Sequence, residues 1–148
     1  MSNAVTDTHA LIWYLEDSPR LSSVANQAFE QCDRGEIVIY IPTICLIEII
    51  YLQEKGRIAP ELKSQLDTEL LAGNSGFILA DLTAEVVNVL ATVPRTAVPD
   101  LPDRIIIATA FHLGLPLISR DSRMPLTGIS LIPIKSVYED IIFEELGL

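Results

Sequence analysis

Val5-Thr6-Asp7-Thr8-His9-Ala10-Leu11-Ile12-Trp13 is a short β-type run that ends in an acid and turns at once into an apolar helical segment. A strand feeding a helix in this way is the building step of an open α/β sheet, whose ligand crevice lies outside the carboxyl ends of the strands. Asp7 is therefore the first candidate site residue. An Asp at such a junction serves equally well as the N-cap of the helix behind it, so its meaning depends on whether other acids reach the same edge.

Outward from this stretch the alternation repeats. Ala10–Glu16 reads as a short helix closed by Asp17-Ser18-Pro19, and Leu21–Arg34 as a second helix ending at Gly35. Glu36–Ile41 is a β-branched run of the kind found in buried strands, stopped by Pro42. Thr43 can cap a third helix, Ile44–Lys55, which ends at Gly56. A fourth helix runs from Pro60 to Ala72, Phe77–Ala80 is a third strand followed by Asp81, and a helix spans Ala84 to about Thr92. Three prolines between Pro94 and Pro102 demand an irregular loop. Arg104–Leu113, opened by Asp103 and closed by Gly114, is apolar on nearly all sides and so a buried helix. Leu115–Ser119 and Ser130–Ile134 are the last strands, and Val137–Leu146 is a final helix. Strands alternating with helices predict one α/β domain over residues 1–148: a parallel five-stranded sheet covered by helices on both faces, with no repeat or linker.

Bulk properties narrow the function. A chain of 148 residues, 49% hydrophobic, can bury roughly 70% of the surface its unfolded form exposes, so it needs no disulfide staple. No apolar run reaches the ~18 residues of a membrane span and no signal-like core follows the N-terminus, which predicts a soluble cytoplasmic protein. Cys32 and Cys45 are too far apart for a metal knuckle and read as buried small hydrophobes. The formal net charge of -10 argues against a general phosphate-binding surface, so any nucleic acid must be met locally. It also suits a basic protein partner.

Four carboxylates fall at equivalent places in this register. Asp7 follows the first strand, Glu48 lies one turn into the helix after the second, Asp103 begins the buried helix, and Asp121 follows the fourth strand. Glu48 stands among Ile44, Leu46, Ile47, Ile49 and Ile50, where an ionised group costs several kcal/mol unless it finds a cation, finds donors or snorkels to water. Asp103 and Asp121 are also ordinary cap and turn residues. Together, acids at converging strand ends repel by about 4 kcal/mol per pair at ~4 Å and an effective dielectric of 20, so a cluster needs a counterion. Oxygen ligands without a His or Cys set at zinc spacing favour Mg²⁺ or Mn²⁺. His9 reaches the turn after the first strand, where packing or capping explains it equally, and His112 reads as a helix-end residue. A carboxylate-held ion of this type activates water and steadies charge on a phosphate, which makes phosphodiester hydrolysis the natural chemistry. Arg104 and Arg120 are placed to hold substrate oxygens, whereas Arg123 reads as solvated surface.

The stretch Val5–Trp13, the helix carrying Glu48-Ile49, Asp100-Leu101-Pro102-Asp103-Arg104-Ile105-Ile106-Ile107-Ala108-Thr109-Ala110, and Leu117-Ile118-Ser119-Arg120-Asp121 together resemble the PIN-domain ribonucleases. Within that family the likeness is to the VapC-like toxins of bacterial type II toxin–antitoxin pairs, from about Ala4 to Pro133. The resemblance implies a Mg²⁺- or Mn²⁺-dependent endoribonuclease with Asp7, Glu48, Asp103 and Asp121 around the metal and Ser119 as a polar helper. It further implies a three-layer fold with a five-stranded parallel sheet, a homodimer, and inhibition by a cognate antitoxin. Cys45 stands where a hydroxyl residue is usual and Ile47 where Trp is frequent; neither removes a ligand. The extension 136–148 passes the usual end of the resemblance, and its stripe of Val137, Ile141, Ile142 and Leu146 suits either its own core or an interface.

Two other classes fit parts of the pattern. A phospho-acceptor receiver would use Asp81, Ser119 and Lys135 after successive strands, but it needs a pair of acids where strand one offers a single one and leaves Glu48, Asp103 and Asp121 idle. A non-catalytic interaction module leaves the whole acid quartet unexplained.

Overall fold

The computed structural model describes residues 3–119 and the backbone of 131–133. In chain order the elements are β1 (Ala4–Thr6), α1 (Thr8–Leu15), α2 (Ser23–Asp33), β2 (Ile39–Pro42), α3 (Thr43–Glu54) and α4 (Leu62–Ala72). They are followed by β3 (Phe77–Ala80), α5 (Ala84–Leu90), α6 (Leu101–Leu113), β4 (Leu117–Ser119) and β5 (Leu131–Pro133). The helix expected over Val137–Leu146, Lys135 and the extension 136–148 lie outside the described residues.

Every strand pair is parallel, and the sheet order is β3-β2-β1-β4-β5. β1 is thus central, pairing with β2 through Ala4↔Ile39 and with β4 through Val5↔Leu117 and Thr6↔Ile118. The chain winds outward from β1 through β2 to β3, then crosses back to β4 on the other side of β1. This reversal makes the gap between the carboxyl ends of β1 and β4 the topological switch point, the place where open α/β sheets bind ligands. It also removes the receiver reading. That fold orders its strands 2-1-3-4-5 and sets β3 beside β1, whereas here β3 is an edge strand, separated from β1 by β2.

Burial explains why β1 is central: Ala4, Val5 and Thr6 are wholly inaccessible. Ile39, Ile41, Leu117 and Ile118 extend the same core across the sheet, and Leu11, Phe29, Ile49 and Ile107 close it from the helices. Cys32 and Cys45 are free, buried thiols, as expected. Among the described residues no helix is long and apolar enough to cross a membrane.

Helix starts differ from expectation for local reasons. α1 begins at Thr8 rather than Ala10 because Asp7, extended at φ -86° and ψ 175°, accepts the Ala10 N–H and caps it. α6 begins at Leu101 because Asp100 takes the Asp103 N–H; Pro102 sits in the first turn, where its missing donor costs nothing. Asp103 is therefore not the cap it could have been. Thr43 does not cap α3 either: Pro42 holds that position, and the Thr43 hydroxyl donates to the Ala80 carbonyl instead.

Gly76 marks the tightest approach in this frame. Its N–H donates to the Cys32 carbonyl at 2.7 Å, and a Cβ there would stand 1.8 Å from the Ile37 carbonyl oxygen. Backbone cannot yield as a flexible side chain would, so Gly76→Ala is expected to lower stability by at least about 2 kcal/mol, read from urea melts. An unchanged midpoint would show that the α2–β2 connection is softer than this packing implies.

Candidate active site

Asp7 directly follows β1 at its carboxyl end, beside the switch point, and its backbone N–H donates to the Ile118 carbonyl at 3.0 Å. Oδ1 accepts the Ala10 N–H at 2.8 Å, and Oδ2 accepts the Ser119 hydroxyl, also at 2.8 Å. The carboxylate is only 5% exposed. Burying an unaided carboxylate costs several kcal/mol. Each hydrogen bond to a charged group returns about 1.5–3 kcal/mol, and the N-terminus of α1 adds a favourable dipole. Capping and site roles are therefore not alternatives at Asp7, because one oxygen serves each neighbouring element.

Glu48 comes to the same region from α3, one turn beyond Cys45. It is half-buried, and its Oε1 accepts the hydroxyl of Thr8 at 2.5 Å. Desolvation raises its pKa, Asp100 adds to the rise, and the Thr8 bond opposes it. Cys45 reports the convergence from beneath. Its thiol is wholly buried and held well above the usual range, first by desolvation and then by the fields of Asp7, Glu48 and Asp103 together. The thiol is directed at the Thr6 carbonyl at 3.9 Å.

The fields of Asp7, Glu48 and Asp103 thus all reach one buried thiol, although the three acids stand at the start of α1, on α3 and on α6. Among the described residues, no three His, Cys, Asp or Glu side chains form a group able to hold an ion by themselves. Asp121, expected as the fourth acid, lies outside the described residues, as do Arg120 and Arg123. In kind, the donors fit a hard divalent cation: they are carboxylate and hydroxyl oxygens, and the nearest sulfur turns toward a backbone carbonyl.

Arg104, expected near substrate oxygens, is engaged elsewhere. Its Nη2 donates to the carbonyls of Leu90 and Val93 at 3.1 and 2.9 Å, closing the C-terminal end of α5 against α6. His9 stands edge-on to Trp13, and His112 lies in the last turn of α6. Two residues near the acids escaped sequence reading. Asp100 lies in the stretch that carries the family resemblance but gives no sign of its own role, and Thr8 gives no local sign that its partner lies 40 residues away.

A family model for the PIN domain matches residues 4–129. The chain is similar to Ribonuclease VapC22 of Mycobacterium tuberculosis, 27% identical over 124 residues, which cover 84% of this chain and 91% of that protein. Among solved structures, VapBC2 from Rickettsia felis, bound to a DNA fragment from its promoter, aligns with a TM-score of 0.66 at 18% identity. That alignment covers 87% of this chain and 96% of the other. A toxin–antitoxin complex from Klebsiella pneumoniae aligns at 0.62 and 21% identity, over 90% and 99% of the two chains. At these identities the structural likenesses speak for the fold.

A carboxyl whose pKa the fold raises costs stability above that raised value, and the cost vanishes as pH falls below its unfolded value near 4.5. Glu48→Gln should therefore raise the melting temperature of metal-free protein by a few degrees at pH 7 and change it little near pH 4. A variant no more stable than wild type at pH 7 would contradict the desolvated setting of Glu48.

Proposed function

The chain belongs to the PIN domain family, and from that premise we propose that it is a Mg²⁺- or Mn²⁺-dependent endoribonuclease, the toxin component of a toxin–antitoxin pair. One observation supports this reading most directly: Thr8, the residue after Asp7, donates its hydroxyl to Glu48, which ties the second acid to the neighbour of the first. Asp7, Glu48, Asp103 and Asp121 would hold the ion. When bound, it supplies Lewis-acid stabilisation of a phosphate and an activated water.

The remaining tasks fall to the chain itself. Ser119 holds the Asp7 carboxylate in one orientation through its hydroxyl, and the α1 N-terminus adds a favourable dipole beside it. Glu48 is kept partly desolvated, which strengthens its interaction with any cation admitted to the crevice. Arg120 is retained as a candidate for substrate phosphates. Arg104 is not, since its Nη2 already serves two carbonyls.

Partners follow from the surface. A net charge of -10 favours a basic antitoxin segment and leaves RNA binding to the local site. The outward face of α3 exposes Ile47, Ile50 and Tyr51 at helical spacing, with Tyr51 60% exposed, which suits a protein interface in a homodimer or an antitoxin complex. Cytoplasmic residence agrees with an RNA substrate. The proposed architecture is one domain over 1–148, three layers about a five-stranded parallel sheet, with the extension 136–148 added to it.

Purified protein should cut RNA with Mg²⁺ or Mn²⁺ and stop in EDTA, and Asp103→Asn should lose at least about a hundredfold in rate while melting as wild type does. Gel analysis of a structured RNA checks both. Cleavage that survives EDTA would remove the metal mechanism, and full activity of Asp103→Asn would remove this acid from the site.

A further inference from the structure

We infer that Thr8 is a positioning residue for Glu48, fixing through its hydroxyl the orientation in which that carboxylate meets a divalent cation. The inference rests on the metal-site reading above and adds a residue to it. Thr8 is 3% exposed and is the first residue of α1, directly after Asp7. Its hydroxyl donates to Glu48 Oε1 across 40 residues of sequence, linking the start of α1 to α3.

Three features make this bond more than surface decoration. A helical threonine ordinarily turns its hydroxyl back to the carbonyl four residues before it. At the first position of α1 no helical turn precedes it, so the single donor is available to another element. A β-branched side chain is stiff at χ1, so a donor on Thr8 fixes direction as well as distance. Among the described residues, Glu48 makes no hydrogen bond through Oε2, so the Thr8 bond orients the group and leaves the other oxygen for a ligand.

The arrangement parallels that of Asp7, where the Ser119 hydroxyl holds Oδ2. Two acids from different elements are each steered by one buried hydroxyl, and Thr8 sits beside the first acid while steering the second.

The test is calorimetric titration of Mn²⁺ into full-length wild type, Thr8→Val, Thr8→Ala and Thr8→Ser, with thermal melts of each metal-free protein. Outer partners of metal ligands typically alter affinity 10–100-fold. Thr8→Val and Thr8→Ala should each weaken Mn²⁺ about tenfold, and Thr8→Ser should restore it to within about threefold. In a Glu48→Ala background, Thr8→Val should change the residual affinity by less than about twofold, because the residue acts through Glu48.

If wild type binds Mn²⁺ while Thr8→Val and Thr8→Ala bind equally well, the role of Thr8 falls and the metal site stands. A loss with Val but not with Ala would assign the effect to crowding by the extra methyl, and failure of Ser to rescue would assign it to packing; either overturns the inference. Wild type that binds no Mn²⁺ at all would overturn the metal site and Thr8's role with it.

Discussion

The rest of the structure depends on a carboxylate buried at the end of the central strand. Asp7 is accommodated there by two donors, one local and one remote in sequence: the Ala10 amide at the start of α1 and the Ser119 hydroxyl at the end of β4. The Ser119 bond spans 112 residues, so β1 and β4 must already be paired when it forms. The backbone bond from Asp7 to Ile118 ties the same junction a second time. Charge, helix start and strand pairing are thereby one constraint, set where the strand order reverses.

Glu48 and Asp103, the other described acids of the proposed site, are held by different means. Glu48 is carried by a helix whose inner face, Cys45 and Ile49, is wholly buried while Ile47, Ile50 and Tyr51 face outward. It sits at the boundary between the two faces, half desolvated, and this costs stability that a neutral residue would not. Asp103 is carried by α6, whose Ile106, Ile107 and Ala108 are almost inaccessible and leave it little freedom to shift. Arg104, beside it, fastens the end of α5 through the Leu90 and Val93 carbonyls.

How much of this is legible in the sequence follows from the range of each interaction. Strand and helix order is readable because β-branched runs and glycine stops act locally; Gly56 and Gly114 follow the helices they were expected to end. Asp7, Glu48 and Asp103 are readable as candidates because each stands at or within about a turn of a predicted strand end or helix start. The cap of α6 is not, since Asp100 and Asp103 are chemically alike and only the backbone decides which accepts the amide. The roles of Arg104 and Thr8 are hidden for the opposite reason: each bonds to an element 11 to 40 residues away, with no periodic pattern to announce it.

The central claim is that acids from β1, α3 and α6 share one divalent ion at the switch point. Anomalous diffraction from crystals soaked in Mn²⁺ tests it most directly. The account predicts a manganese peak in the β1–β4 crevice, within coordinating distance of Asp7 and of at least one of Glu48 and Asp103. A well-diffracting soaked crystal with no peak there, or with manganese only at unrelated surface carboxylates, would contradict it.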